Sequence, residues 1–175
     1  MFLSNFACPK KLIYLYINQI MQVTKENLNE CVQKLLPLEP DKKPLWGKFS
    51  AQAMVERLID SVVISNGKFQ LPCLFEGLEL EERRKFLWSG APFPKNIQNS
   101  FVENRPLRAP SLAAATKKLT QELDIFHQYF TDNPESTFIH PFFGELKYQD
   151  WIYFHIRHFT HHFIQFELII PEQEY

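Results

Sequence analysis

FIHPFFGELKYQDWIYFHIRHFTHHFIQF, residues 138–166, is the stretch from which the rest of the chain is best read. It holds five of the six histidines, and four of them, His155, His158, His161 and His162, lie in an aromatic segment with helical spacing. Imidazole is the side chain most easily charged near neutral pH and the commonest protein ligand for metals. Burying so many close together costs stability unless they are paired or used. At about 100° per residue, Trp151, His155, His158 and His162 share a narrow arc that Gln165 and Ile169 continue. His161 points away from it. His158 and His162, at i and i+4, are spaced to meet at one ion or ligand, whereas His155 lies two turns from His162 and cannot easily join both. A pair on one helix leaves at least one further protein ligand to be supplied from elsewhere.

Upstream of this last helix, expected over about 148–169, Ser111 opens a long amphipathic segment. Leu112, Ala115, Leu119, Leu123, Phe126 and Phe130 form its apolar stripe, with Lys117, Lys118 and Glu122 outside it. Asp132, Asn133 and Pro134 stop it. Further back, Ser50 caps AQAMVERLIDSVVIS, in which Met54, Leu58, Ser61 and Ser65 share one face. A first helix is expected from a Thr24 cap to about Leu36, with Val23 and Leu28 as a hydrophobic staple. Residues 66–110 are mostly irregular, broken by the charged helical stretch 78–88. Such a length of irregular chain indicates a functional wall or a linker, and Phe86, Trp88, Phe93 and Phe101 favour a packed wall. Four long amphipathic helices without a strand pattern predict an all-α fold, an antiparallel four-helix bundle with a long irregular insertion between its second and third helices. A single domain over 21–170 is expected, with 1–20 an N-terminal extension upstream of a natural start at Met21, and 171–175 a tail.

A net charge of −1 and the absence of a basic run among the aromatics argue against a nucleic-acid partner. The apolar run near the N-terminus is short and interrupted by Asn18 and Gln19, so neither a signal peptide nor a membrane span is expected. Cys8, Cys31 and Cys73 are odd in number and widely spaced, which suits a reducing cytoplasm and no disulfide framework. Cys73 reads as an ordinary cysteine of the insertion. His127 and His161 read as solvated surface residues, and His140 before Pro141 as a loop hydrogen-bonder.

WGKFSAQAMVERLIDSV at 46–62, FFGELKYQDW at 142–151 and HFTHHFIQF at 158–166 together resemble the DinB-like, YfiT-like four-helix-bundle superfamily, most of all a largely uncharacterised branch ending in a similar HxxHHxxQF pattern. The resemblance covers most of 21–169. It implies a bundle, often a homodimer, that in many members binds a divalent metal, commonly nickel or zinc, through three histidines. Characterised relatives include thiol-dependent transferases and isomerases of small molecules. Two of the implied ligands correspond to His158 and His162. The third, from the second helix, falls where the usual text resembles MxxHL and this chain has MVERL, so that Arg57 takes its place. Lys147 stands where the last helix of such proteins frequently has Thr as its cap.

A guanidinium has five donors and no acceptor and stays protonated, so Arg57 cannot replace a neutral imidazole at a cation. Three arrangements follow. The metal is lost, and Arg57 with His155, His158 and His162 forms a pocket for an anionic small molecule, in which His158 or His162 is the candidate general base. A metal, nickel or zinc, survives with a substitute ligand such as Glu56, which requires a helix rotation. Or the site is vestigial in a non-catalytic homodimeric binding or interaction module. The first is the leading expectation, with hydrolase or transferase chemistry derived from a metal-dependent ancestor and Asp60 holding Arg57 aside.

Overall fold

The computed structural model describes residues 24, 26–96 and 105–170. The expected N-terminal extension and tail, Cys8, Val23 and Phe101 lie outside them. In chain order the elements are α1 (Leu28–Cys31), a 3-10 turn (Val32–Leu35), α2 (Ala51–Ser65), α3 (Gly77–Trp88), α4 (Leu112–Asp132), β1 (Thr137–His140), β2 (Gly144–Lys147) and α5 (Tyr148–Gln165). The protein is mostly helical, but a two-stranded antiparallel sheet stands beside the helices, which corrects the all-α expectation.

The two central helices begin where their caps place them. Ser50 Oγ accepts the Ala53 N–H at 3.2 Å, and Ser111 Oγ accepts the Ala114 N–H at 3.1 Å, each satisfying one orphan donor of a first turn. Along α2, Met54, Leu58, Ser61 and Ser65 are buried as their spacing predicts. The expected stripe of α4 is buried from Leu112 to Phe130. These faces meet: α2 packs most extensively on α4, and α5 lies against α2 and β2. One apolar cluster runs from Leu28 to Ile169, with Trp151, Phe126, Phe159 and Phe163 among its largest sealed side chains. Each such aliphatic or aromatic side chain contributes about 1.5–3 kcal/mol on removal from water.

Glu122 breaks the expected pattern. It is 1% exposed, with its carboxylate taken by Asn66 Nδ2 at 3.0 Å, Lys68 Nζ at 2.8 Å and Lys118 Nζ at 2.7 Å. Burial raises its pKa, but these donors outweigh that and leave it below the ordinary carboxylate value. It thereby ties the C-terminal end of α2 to α4. The first helix is also shorter and tighter than expected. Thr24 is not its cap: Asn27 Oδ1 accepts the Thr24 N–H at 2.8 Å, a local turn that competes with helix, and α1 starts only at Leu28.

β1 and β2 pair in the register Thr137↔Lys147 to His140↔Gly144. The hairpin closes over the end of α2 because residue 67 has no side chain. A Cβ on Gly67 would stand 2.4 Å from the Phe138 ring, and its φ of +76° is one that L side chains rarely adopt. The last helix then starts at Tyr148, where the Lys147 N–H donates to Asp150 at 3.2 Å in half of a capping box. It ends at Gln165, earlier than its periodicity suggests. Glu167 takes a φ of +58°, and Leu168 N–H reaches Phe163 C=O at 2.8 Å while Glu167 N–H reaches Ile164 C=O at 3.0 Å, a Schellman closure.

The stretch between α2 and α4 carries the expected charged helix as α3 and is pinned from three sides. Arg84 Nη1 donates to the carbonyls of Phe143 at 3.2 Å and Glu145 at 3.1 Å, joining α3 to the hairpin. Arg157 of α5 donates to the carbonyls of Phe86, Leu87 and Ala91. Glu56 of α2 accepts the backbone N–H groups of Arg108 and Ala109, each at 3.0 Å. Phe86 lies 5.9 Å from Phe93 and both pack against the core, whereas Trp88, 45% exposed, stacks on Tyr153 at 4.7 Å at the surface.

Candidate functional site

The arc of histidines on α5 faces the two small polar residues of α2. At one end, His155 Nε2 lies 2.9 Å from Ser65 Oγ, and that hydroxyl donates to Val62 C=O at 2.8 Å. The hydroxyl has only one hydrogen, so it accepts from His155, whose Nε2 carries the proton. Nδ1 of His155 is then a bare acceptor, and neither it nor the buried indole N–H of Trp151 beside it meets a hydrogen-bond partner among the described residues. His155 is 0% exposed between Trp151, Phe126 and Phe159. Burial, reinforced by His140 and His127, lowers it to a pKa of about 3. The structure thus places His155 in the core.

One turn further on, the same kind of contact is made by the opposite ring nitrogen. His158 Nδ1 lies 3.3 Å from Ser61 Oγ, which donates to Leu58 C=O at 2.8 Å, so here Nδ1 carries the hydrogen. His162 Nδ1 lies 2.8 Å from Gln165 Oε1, and the Gln165 amide nitrogen donates to Trp46 C=O at 2.7 Å. The amide orientation is set by that second bond, and His162 also carries its hydrogen on Nδ1. With both hydrogens assigned to Nδ1 from these contacts, the two Nε2 atoms are left as acceptors, and they face each other at 3.1 Å. Burial pushes His158 well below its ordinary pKa, with His162 and His155 adding to the effect. Burial likewise brings His162 to about 3, against the Gln165 hydrogen bond that favours the charged form and with the charge of Arg57 adding to the depression. Opposed lone pairs at that distance repel, so with the hydrogens assigned this way the pair calls for a proton or a cation between the rings.

Arg57 sits beside them. Its Cζ lies 4.4 Å from the centre of the Phe49 ring, and that ring meets His162 edge-on at 5.9 Å. Asp60, expected to hold Arg57 aside, receives Arg108 Nη1 at 2.6 Å and Arg105 Nη1 at 3.6 Å. Glu56, the proposed substitute ligand, faces the 105–109 segment. It would be raised by burial, but the hydrogen bonds from Ala109, Gln52 and Arg108 hold it below the ordinary carboxylate value. The reason is non-local: Arg108 lies far along the chain from both carboxylates and reaches across to them.

The remaining histidines all depart from their expected places. His161 is half-buried, edge-on to Trp46 at 5.4 Å and Phe93 at 6.1 Å, so the insertion and the loop before α2 cover what the helix alone would expose. His127 is also half-buried, accepting from Tyr148 OH at 3.1 Å and donating from Nε2 to Asn29 Oδ1 at 3.2 Å. Its Asn29 partner donates in turn to Asp124, which fixes the amide's orientation. His140 is a hydrogen-bonder as expected, its Nδ1 accepting the Phe142 N–H at 3.0 Å, but it is buried at the end of β1 rather than set in a loop. Cys73 is half-buried and directs its thiol to Phe75 C=O at 3.1 Å. Sequence reading missed Ser61, Ser65 and Gln165 as partners of the histidines. Their position on the right arcs was the available signal.

Surface hollows among the described residues include one on α3 and one in the loop before α2. One of about 510 Å³ is lined by Glu81, Arg84, Lys85, Trp88 and Ser89, away from the histidines. The other, about 210 Å³, lies along 40–50 and shares Phe49 with the site.

The fit of a metal can be judged from the donors. A tetrahedral ion bound at about 2.05 Å holds two nitrogens about 3.3 Å apart, close to the separation of the two Nε2 atoms. Among the described residues, however, no group of three His, Cys, Asp or Glu comes together to hold an ion. Arg57 adds positive charge where a third imidazole is implied. The residues present supply two ligands and do not fit a three-histidine centre. No helix among the described residues is long and apolar enough to cross a membrane. Comparison with known proteins gives no match to a family model, to a curated protein or to a solved structure.

Proposed function

We propose that this chain is a DinB-like four-helix-bundle protein whose α2–α5 seam binds a small molecule without a metal. His158 and His162 are the paired acceptors, and Arg57 is the cationic group for the ligand's anionic end. The observation that carries this reading is the 3.1 Å approach of the two Nε2 atoms, with both ring hydrogens assigned to Nδ1 from the Ser61 and Gln165 contacts. Such a pair takes a hydroxyl, thiol or amide hydrogen. A guanidinium beside it favours a carboxylate or phosphate on the same molecule. An anionic group at Arg57 also offsets the charge that depresses His162, so ligand binding raises the proton affinity of the imidazole next to it. That is the condition under which His162 becomes a general base for hydrolase or transferase chemistry.

The separation of the two nitrogens favours a second reading, in which the pair chelates a divalent ion completed by exogenous ligands. Metal analysis of the purified full chain separates the two. Substoichiometric nickel and zinc, unchanged in His158→Ala and His162→Ala, is expected. Stoichiometric metal lost in both variants would overturn the metal-free reading. Arg57→His supplies the missing imidazole and is expected to raise zinc affinity by about tenfold or more. No gain would show that position 57 does not complete the pair.

A further inference from the structure

Residues 42–49 cross the C-terminal end of α5 as a strap fastened at several points. The Leu45 N–H donates to Gln165 C=O at 2.8 Å, and Lys42 pairs with Glu167. Trp46 covers His161 and Phe49 covers His162. Gly47 permits the close approach, since a Cβ there would lie 3.2 Å from the Gln165 amide nitrogen and its φ is +83°. The amide of Gln165 lies between strap and site: its nitrogen donates to Trp46 C=O at 2.7 Å and its oxygen accepts from His162 Nδ1 at 2.8 Å. The observed orientation makes both bonds; the reversed orientation loses the Trp46 bond and meets His162 only as a donor to a bare Nδ1, with the imidazole hydrogen on Nε2.

We infer that Gln165 is a positioning residue that couples closure of the 42–49 strap to the position of the hydrogen on His162. With the strap closed, Trp46 C=O holds the amide nitrogen, the amide oxygen holds the hydrogen on Nδ1, and Nε2 faces His158 bare. With the strap lifted, the amide is free to turn, and the imidazole hydrogen moves to Nε2, where it donates to His158 and closes the acceptor pair. The strap therefore governs whether the pair is open to a ligand. This rests on His158 and His162 being the binding pair, and its test reads neither metal nor ligand affinity, so the two readings fail separately.

The test uses the metal-stripped full chain labelled with 15N in its histidines. Two-bond proton–nitrogen correlations report which nitrogen of His162 bears hydrogen, and amide exchange at Leu45 reports strap closure. Gln165→Glu keeps the acceptor but loses the donor. It is expected to leave His162 protonated on Nδ1 while Leu45 exchanges about tenfold faster or more. Gln165→Leu loses both bonds and is expected to move the hydrogen to Nε2. Gly47→Ala disturbs the strap with Gln165 intact and is expected to give a mixture of the two imidazole forms. The coupling is overturned if Gly47→Ala speeds exchange at Leu45 and leaves His162 wholly in the Nδ1 form, or if Gln165→Leu does so. It is overturned equally if Gln165→Glu leaves Leu45 exchange at the wild-type rate.

Discussion

Two serine–histidine pairs cross the same seam between α2 and α5, and the difference between them lies in which ring nitrogen meets the serine. In the Ser65–His155 pair, Nε2 donates and Nδ1 is turned into a shell of aromatic rings. In the Ser61–His158 pair, Nδ1 donates and Nε2 is turned toward a second imidazole. Both serines hold their own hydrogens on carbonyls of α2, so both act as acceptors that fix a tautomer. The contrast teaches that a histidine's role is set by what its second nitrogen meets. Packing makes His155 structural, and pairing makes His158 available.

The sharpest way to break this contrast is to remove the two imidazoles in turn. His155→Ala opens a sealed aromatic-sized space and is expected to cost about 3 kcal/mol by chemical denaturation. His158→Ala, at a half-buried position, is expected to cost about 1 kcal/mol. Equal costs would erase the distinction. The serines give a smaller version of the same test. Ser65→Ala strands a buried N–H and is expected to cost about 2 kcal/mol, with Ser61→Ala under about 1 kcal/mol.

The pH dependence follows from burial. His155 and His140 are held at about 3, well below the ordinary value for histidine. Between that ordinary value and about 3 the unfolded chain binds protons that the folded one does not. Their contribution is therefore complete above about pH 6.5 and is lost progressively as pH falls, each group adding up to about 1.4 kcal/mol per pH unit to the slope. His155→Gln is expected to lower the acid slope of stability by about that amount, measured by denaturation at a series of pH values. The smallest effect is electrostatic. Arg57→Met removes a charge that depresses His162 but is not among the causes acting on His155. NMR titration is expected to show the pKa of His162 rising and that of His155 unmoved.

Much of this was legible in the sequence because it is local. Ser50 and Ser111 mark their helix starts, and the stripes of α2 and α4 follow the helical period. The i, i+4 spacing of His158 and His162 is enough to bring their rings within 4.8 Å of each other. What escaped reading is non-local. The hairpin has strands of four residues each, too short for an alternation signal, in a stretch broken by Pro141 and Gly144. Glu122 lies outside the apolar stripe and Glu56 is expected only as a substitute ligand; their anchoring roles appear once Asn66, Lys68 and the 105–109 segment are folded onto them. Ser61 and Ser65 read as small residues in an apolar stripe, because the register of α5 against α2 alone makes them hydrogen-bond partners. His161 looked exposed because Trp46 and Phe93, which cover it, come from distant segments.

The central claim is that the lower pair presents two bare nitrogens while the upper histidine is turned the other way. Side-chain 15N NMR of the metal-stripped wild-type chain at pH 7.5 tests it most directly. The account predicts neutral rings with hydrogen on Nδ1 in both His158 and His162 and on Nε2 in His155. A hydrogen on Nε2 of either His158 or His162, or a cationic ring at that pH, would contradict it.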